Sequence, residues 1–387
     1  MVKREITKEL LLSSKKYPVV TITGPRQSGK TTLVKKVFPK YAYYSLEDPD
    51  VRELALSDPR AFLRNAGKGI IIDEIQKAPQ MLSYIQGIVD SSKKNGRFIL
   101  TGSQNFQLMH SVTQSLAGRT ALLCLLPFTF KELSDIKKNI SMDELLFQGF
   151  YPRIYDQKLD PSKAYKAYYQ TYVERDLRAL INIKDVRLFQ KFTRLCAGRV
   201  GQIFNASALA SEVGVSVPTI NSWLSILQES YIVFLLEPYH SNINKRLIKS
   251  PKIYFYDTGL ASYLLGIDNV AQMARDPLRG NLVENMVIME MIKHRFNQGV
   301  DHNLYFYRDN HQNEVDVIFK AGSNLLPIEI KSSETFNVDF LKGLSYIKSV
   351  FPKNITRQVL IYGGDKEQLG KEQIILNYRH SAEVFSI

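Results

Sequence analysis

An α/β fold built on a parallel sheet is predicted by three features of this sequence. A short β-branched run, Pro18-Val19-Val20-Thr21-Ile22-Thr23, leads into a glycine-bounded loop, Gly24-Pro25-Arg26-Gln27-Ser28-Gly29-Lys30-Thr31-Thr32, and then into a helical stretch, Leu33–Phe38. A second apolar run, Gly69-Ile70-Ile71-Ile72, ends in Asp73-Glu74, and a third, Arg97-Phe98-Ile99-Leu100, ends in Thr101-Gly102-Ser103-Gln104. Strands that are apolar on both faces belong in a sheet covered by helices on each side. In such sheets ligands collect at the carboxyl ends of the strands, where these acids and hydroxyls stand.

The order strand, loop, Gly-Lys-Thr, helix is the full context of a Walker A phosphate-binding loop. Two glycines let backbone N–H groups curl around a polyphosphate, and the helix N-terminus adds its partial positive charge. The candidate nucleotide-binding residues are therefore Gly24, Pro25, Arg26, Gln27, Ser28, Gly29, Lys30, Thr31 and Thr32. In this motif the lysine reaches the β- and γ-phosphates of ATP and the threonine hydroxyl ligates Mg²⁺, roles that fall to Lys30 and Thr31. Asp73, ending its strand, is the candidate to hold the water shell of the metal, and Glu74 to orient or deprotonate the attacking water. Of the polar groups closing the third strand, Ser103 is favoured over Thr101 and Gln104 as a γ-phosphate sensor. Arg26 either touches phosphate or faces solvent.

The flanking elements follow from pattern. Ile6–Leu12 reads as a short amphipathic helix, and Tyr41–Leu46 as a strand. Asp48 and Asp50 can cap a helix with Pro49 at its start, and Ser57-Asp58-Pro59 opens another. Pro79–Ser92 is helical, with Met81, Leu82, Ile85 and Ile88 forming a core stripe.

At 387 residues the chain exceeds what one core usually holds, and two or three domains are expected. The net charge of +13 favours an acidic partner such as nucleic acid, although solvated lysine has the same signature. Cys124 and Cys196 have no metal-ligand spacing and suit a reducing compartment. The polar start, Met1-Val2-Lys3-Arg4-Glu5-Ile6, argues against a signal peptide, and the apolar run Ala121–Phe130 is too short to span a bilayer. The expectation is a cytoplasmic protein without a membrane partner.

Gly24–Thr31, Ile70–Glu74 and Leu100–Ser103, followed by Ser115-Leu116-Ala117-Gly118-Arg119 and Pro127-Phe128, resemble the AAA-family ATPases of bacteria and archaea. The likeness is to the group whose C-terminal half is catalogued only as a domain of unknown function, the 4143 family. Tyr172-Val173-Glu174-Arg175-Asp176-Leu177 resembles the second-half signature of that group, so the likeness runs over nearly the whole chain. The resemblance implies a P-loop NTPase domain of AAA type, and for Arg119 an arginine-finger or sensor role supplied from a neighbouring subunit. The alternative for Arg119 is a pair with a carboxylate or a helix end.

Beyond the first domain, Asp135–Met142 reads as a polar connector, and the domain change is placed between Asp156 and Ser162. A long helical pattern follows from Ala164 to Leu180, whose Tyr165, Tyr168, Tyr169 and Tyr172 suit helix packing better than base stacking. Asn205–Leu236 reads as a helix-turn-helix: Ser207 opens a helix, Gly214 makes the turn, and Ser216 with Pro218 starts a second helix. The strands Tyr231–Leu236 and Lys252–Tyr256 complete a winged-helix order of elements. The second helix offers Thr219, Asn221, Ser222, Ser225 and Gln228 but no Lys or Arg, so protein contacts compete with DNA as its use. Lys245, Arg246 and Lys249, in the presumed wing, suit backbone phosphates.

In the last region a helix over Pro277–Phe296 precedes strands at Leu304–Arg308, Glu314–Phe319 and Leu326–Lys331. Helix, hairpin Asp, then Glu-x-Lys is similar to the core of PD-(D/E)xK nucleases. Carried over residue by residue, that resemblance implies a site of Glu284, Asp316, Glu329 and Lys331, with acids binding Mg²⁺ and the lysine supporting the attacking water. Val315 departs from the proline of the motif, and a nuclease-like fold kept as a scaffold is the alternative. His294, His302 and His311 are scattered and read as surface residues.

The expected architecture is thus an AAA-like domain over residues 1–157, a helical and winged-helix region over 158–270, and a nuclease-like α/β domain over 271–387. Three functions remain open: an ATP-hydrolysing Mg²⁺-dependent switch acting on or near DNA, a nucleotide-gated DNA-binding regulator or scaffold with little turnover, and an ATP-gated DNA endonuclease. A protein partner or self-association is compatible with each.

Overall fold

The computed structural model describes residues 2–386 except 65–66, 93, 104–114, 177–184 and 240–249, and for 173–176 only the backbone. Gln104, the end of the long helical pattern at Leu180, and Lys245, Arg246 and Lys249 lie outside the described residues, as does part of the Tyr172–Leu177 signature.

The first region is a five-stranded sheet in the order β2-β3-β4-β1-β5, parallel throughout. Its strands are β1 (Val19–Thr23), β2 (Ala42–Ser45), β3 (Ile70–Asp73), β4 (Phe98–Thr101) and β5 (Thr120–Cys124). The helices are α1 (Thr7–Lys16), α2 (Lys30–Val37), α3 (Pro49–Ser57), α4 (Pro59–Arg64) and α5 (Met81–Ser91). Side chains alternate across β1: Val19 joins Ile72, Met81 and Leu100 in one apolar cluster, while Val20 and Ile22 join Leu10, Leu33 and Val34 in the other. Asp48 caps α3, accepting from Asp50 N–H, and Asp58 accepts from Ala61 N–H at the start of α4. β4 lies between β1 and β3, so Thr101 stands between the loop strand and the acid-tipped strand.

β5 has no counterpart among the predicted strands, because its run merges with the apolar stretch to Phe130. What makes it a strand is its register on β1, Val19 to Thr120 through Thr23 to Cys124, with the Thr21 and Thr120 hydroxyls 3.0 Å apart.

The middle region begins with α6 (Phe130–Ser134), α7 (Met142–Gln148), α8 (Pro152–Asp156) and α9 (Pro161–Tyr168). The predicted long helix is α-helical only through α9 and continues as a π-helix over Tyr169–Asp176. Tyr165, Tyr168, Tyr169 and Tyr172 are all buried, so these rings pack rather than stack bases. After α10 (Val186–Ala197) come α11 (Ala206–Val213) and α12 (Val217–Glu229), capped by Asn205 and Ser216 and separated by Gly214 in the left-handed region. Asn205, not Ser207, is the cap of α11, because its side chain is the one that accepts from Ala208 N–H. β6 (Val233–Leu236) and β7 (Lys252–Phe255) then pair antiparallel.

The last region follows α13 (Thr258–Leu265) and α14 (Val270–Met273). Helix α15 (Arg279–Asn297) lies against a six-stranded mixed sheet ordered β12-β13-β11-β10-β9-β8. The strands are β8 (Leu304–Arg308), β9 (Glu314–Ala321), β10 (Asn324–Lys331), β11 (Gln358–Tyr362), β12 (Gln368–Leu369) and β13 (Gln373–Asn377), with α16 (Lys342–Val350) between β10 and β11. One continuous apolar cluster runs from Leu126 through the middle region to Val384. Much of the chain from 126 onward therefore shares one core, against which Cys124 at the end of β5 packs.

Asp257, buried at the N-cap of α13, ties this core together. It accepts from Phe150 N–H at 2.7 Å, Leu260 N–H at 3.0 Å and the Tyr165 hydroxyl at 2.6 Å. Burial pushes its carboxyl upward, opposed by those donors. Asp257→Ala strands several buried donors and is expected to cost about 2–4 kcal/mol, read as a lowered urea midpoint at unchanged slope.

Candidate nucleotide site and carboxylate cluster

The loop after β1 requires glycine at its start. Gly24 has φ +138°, and a Cβ there would lie 2.2 Å from the carbonyl oxygen of Leu125. Such contact closes the loop against the end of β5 and leaves room only for bare backbone. Lys30 opens α2 and is 6% exposed; its Nζ donates to Gly24 O at 2.9 Å and Pro25 O at 2.8 Å. Burial lowers its pKa to about 8, although Glu74 and Asp73 pull the other way. The Ser28 hydroxyl is buried without a hydrogen-bond partner among the described residues. A bare-backbone cradle, an orphaned hydroxyl and an ammonium hydrogen-bonded to two loop carbonyls all fit a polyphosphate.

Thr31 and Asp73 meet: Thr31 Oγ1 donates to Asp73 Oδ2 at 2.9 Å. The Tyr43 hydroxyl donates to the same oxygen at 2.8 Å, and Thr101 Oγ1 to Oδ1. One hydroxyl and one carboxylate side by side are hard oxygen donors that suit Mg²⁺ when it is completed by phosphate and water. Glu74 sits in the left-handed region at φ 56°, a conformation that costs a non-glycine residue about 1–3 kcal/mol. Its Oε2 accepts from Ser103 Oγ at 2.9 Å and from Gln76 Nε2. Ser103 is thus brought to Glu74, while Thr101 belongs to Asp73.

Other predicted positions are placed less centrally. Gln27 is exposed with φ 63°, and Thr32 is also exposed on α2. The Arg26 guanidinium lies over the ring of Tyr172, 5.1 Å from its centroid, and 4.0 Å from Glu47. Arg119 pairs with Asp90 on α5, Nε to Oδ1 at 2.5 Å and Nη2 to Oδ2 at 3.1 Å. It precedes β5, so it stands at the amino ends of the strands, opposite the loop, and does not reach the loop within its own chain.

Several residues at this site escape the sequence reading. Arg4 is buried, donating to Ser28 O and Leu126 O at 2.6 Å each and pairing with Glu132 at 3.0 Å. Tyr231, in the left-handed region before β6, donates to Thr23 Oγ1 at 2.9 Å. Gln76 carried a usable signal, an amide two residues beyond the acidic pair. Arg4, Tyr43 and Tyr231 carried none, since only the fold brings them to the loop.

The second group of predicted residues also converges. Glu284 of α15, Asp316 of β9, and Glu329 and Lys331 of β10 surround one spot. Lys331 Nζ lies 2.5 Å from Glu329 Oε1 and 3.9 Å from Asp316 Oδ2. Asp316 Oδ2 accepts from Ile330 N–H at 2.8 Å. Burial raises the carboxyls of Glu284 and Glu329, and Asp316 adds to both. Among the described residues, no group of three or more His, Cys, Asp or Glu side chains is arranged to hold a metal ion.

A family model described as an AAA domain matches residues 16–134, and domains of unknown function match 139–271 (DUF8612) and 279–380 (DUF4143). An uncharacterized protein of Mycobacterium tuberculosis is 30% identical over 369 residues, covering 94% of this chain and 80% of the relative. The chain belongs to this family of AAA-domain proteins with a DUF4143 end. An uncharacterized protein of Methanocaldococcus jannaschii is 22% identical over 329 residues, 71% of this chain and 68% of that one. Among solved structures, the AAA-domain protein is similar to a Walker-type ATPase of Pyrococcus abyssi at 15% identity, covering 68% of this chain and 96% of that one with a TM-score of 0.47. It is also similar to AMPPCP-bound DnaA from Aquifex aeolicus at 15% identity, covering 58% and 86% with a TM-score of 0.30. No helix among the described residues of the AAA-domain protein is long and apolar enough to cross a membrane.

The depressed pKa of Lys30 sets a pH dependence. A bound triphosphate restores the ammonium, so above pH 8 binding takes up a proton and ATP affinity falls by up to about tenfold per unit. Without nucleotide the sign is opposite: the unfolded chain holds this proton up to its ordinary pKa near 10.5, so stability from this group rises as pH climbs from 8 to 10.5. Titration calorimetry in buffers of different ionisation enthalpy reads the proton uptake directly.

Proposed function

We propose that this AAA-domain protein is a Mg²⁺-dependent ATPase whose hydrolysis works a switch acting on or near DNA. The observation that carries the reading is the gathering of Lys30, Thr31, Asp73, Glu74 and Ser103 at the carboxyl ends of β1, β3 and β4, three neighbouring strands. Lys30 leaves its own carbonyls for the β- and γ-phosphates of ATP, and the backbone of Gly24–Thr32 wraps them. Thr31 and Asp73 are the residues that would hold Mg²⁺, which supplies neutralisation of charge on the transferring phosphoryl group. Ser103 and Gln76 aim Glu74 at the attacking water, and as a finger Arg119 would serve only a neighbouring copy of the chain.

Coupling to the rest of the molecule is assigned to two contacts that flank the loop, Tyr231 on Thr23 and Tyr172 beneath Arg26. Both tyrosines belong to the middle region, which we read as a winged helix. We divide the chain near 157 and 270, with 126–157 serving as a brace that packs into the later core. DNA is the proposed partner on the net charge of +13 and on Lys245, Arg246 and Lys249 between β6 and β7. Asn221, Ser222 and Ser225 are exposed on α12, a helix face that brings no Lys or Arg and leaves protein contacts competing with DNA as its use. Two unpaired cysteines, Cys124 and Cys196, suit the cytoplasm.

A second reading concerns the last region. The convergence of Glu284, Asp316, Glu329 and Lys331 supports a nuclease-like fold, and the lysine pairing within it supports its use as a scaffold.

Glu74→Gln is expected to leave ATP affinity within about threefold and to reduce kcat by ~10²–10⁴, measured by phosphate release. Unchanged turnover would remove the assigned role. Tyr231→Phe tests the coupling: in the wild type, ATP-Mg²⁺ changes hydrogen exchange over Ala206–Glu229, and the variant is expected to bind ATP but lose that response. An identical response in both proteins rules the contact out as the route.

A further inference from the structure

The carboxylate cluster of the last sheet already holds a cation of the chain's own. Lys252 begins β7 in the middle region, yet its Nζ lies 3.1 Å from Glu284 Oε1 and 2.5 Å from Glu314 Oε1. Tyr254, two residues on and therefore on the same face of β7, donates its hydroxyl to that Glu284 oxygen. Lys252 is 2% exposed, with its ammonium 5.6 Å from the ring centroid of Phe306. On the other side stands Lys331, and Arg308 Nη1 lies 3.4 Å from Glu314 Oε2. Four carboxylates thus face three cations.

The donor set of this fold would hold a divalent ion, but as arranged it does not fit one. A divalent ion needs about six oxygen ligands within ~2.0–2.6 Å. Glu284 and Glu314 are instead spread around an ammonium at hydrogen-bond distance, and Glu329 Oε1 is turned to Lys331. One oxygen remains unspent: Glu329 Oε2 is buried, with no hydrogen-bond partner among the described residues, in a residue 9% exposed. The backbone beside it is bare at Gly343, where a Cβ would stand 3.4 Å from that oxygen. The cluster therefore has acid capacity for a metal and a lysine from another region filling the place.

We propose that Lys252 is the resident cation of this centre and keeps divalent metal out, so the nuclease-like site is closed while β7 stays docked. The inference takes its ligand class, a divalent cation such as Mn²⁺, from the nuclease-like reading. It also gives that reading a mechanism of closure: the plug sits on a strand whose partner β6 follows directly from Tyr231, the residue that touches the nucleotide loop.

The test is Mn²⁺ titration of nucleotide-free full-length protein, read by electron paramagnetic resonance of free Mn²⁺ and by thermal melting. The wild type is expected to show no uptake that Glu284→Gln removes. Lys252→Met is expected to gain one such site, tighter by ~100-fold or more, as befits removing a unit charge a few ångströms away at an effective dielectric constant of about 20. Its melting temperature should rise with Mn²⁺, and both gains should vanish in Lys252→Met combined with Glu284→Gln. Lys252→Arg keeps the charge and should exclude Mn²⁺ like the wild type. Uptake by the wild type that Glu284→Gln abolishes overturns the proposal. So does a folded Lys252→Met with no new site, or Lys252→Arg binding Mn²⁺, which also decides the matter if the methionine variant does not fold. Mn²⁺ uptake by Lys252→Met without DNA cleavage upholds the plug and sinks active nuclease chemistry, so the two readings fail separately.

Discussion

Burial works to strip Lys30 of its proton beyond the end of β1, opposed by the charges of Glu74 and Asp73, while its direct hydrogen bonds go to two carbonyls of the loop. An ammonium so placed is stable only because the surrounding backbone is fixed, and most of the first region serves that fixation. Gly24 lies against Leu125 without a side chain, β5 supplies the wall, and Arg4 clamps the far side of the loop at Ser28. Neutral carbonyls are a poor match for a buried charge, so an anion entering the cradle is favoured over the arrangement it replaces.

The clamp extends well beyond the loop. Arg4 pairs with Glu132, whose carboxylate also accepts from Glu5 and Thr129 N–H, at 2.7 and 3.1 Å. From the opposite side, α15 grips the same segment: Lys293 donates to Phe128 O at 2.8 Å, and Glu290 accepts from Phe130 N–H at 2.9 Å. Burial raises the Glu290 carboxyl and lowers the Lys293 ammonium, and each is opposed by the other. A five-residue stretch, 126–130, is therefore held at one end by the nucleotide loop and at the other by the helix that carries Glu284. Isolated buried ions are costly, but here nearly every one meets both an opposite charge and a backbone dipole.

A lysine is buried at each of the two sheets. At the first sheet, Lys30 is turned onto two loop carbonyls; at the last sheet, Lys252 is turned onto the carboxylates of Glu284 and Glu314. The middle region touches both places, through Tyr231 and through β7, and so lies between the two centres physically as well as in sequence.

Spacing along the chain was enough to single out the loop at Gly24–Thr32, the acid-tipped strand at Asp73-Glu74 and the helix-turn-helix order, whereas the four residues of the C-terminal cluster were singled out by resemblance to a nuclease core. Each of the first three is a local pattern of apolar period and terminal polar residue, and a strand or helix displays such a pattern before it folds. What only the tertiary structure decided are the partners brought from afar. β5 became a strand by its register on β1, Arg4 met Ser28, Tyr43 met Asp73, Tyr231 met Thr23, and Lys252 entered a cluster assembled from α15 and β9. These contacts join residues roughly 25 to 210 positions apart, where periodicity carries no information. Their charges and hydroxyls read in sequence as ordinary surface residues, and burial alone gave them their roles.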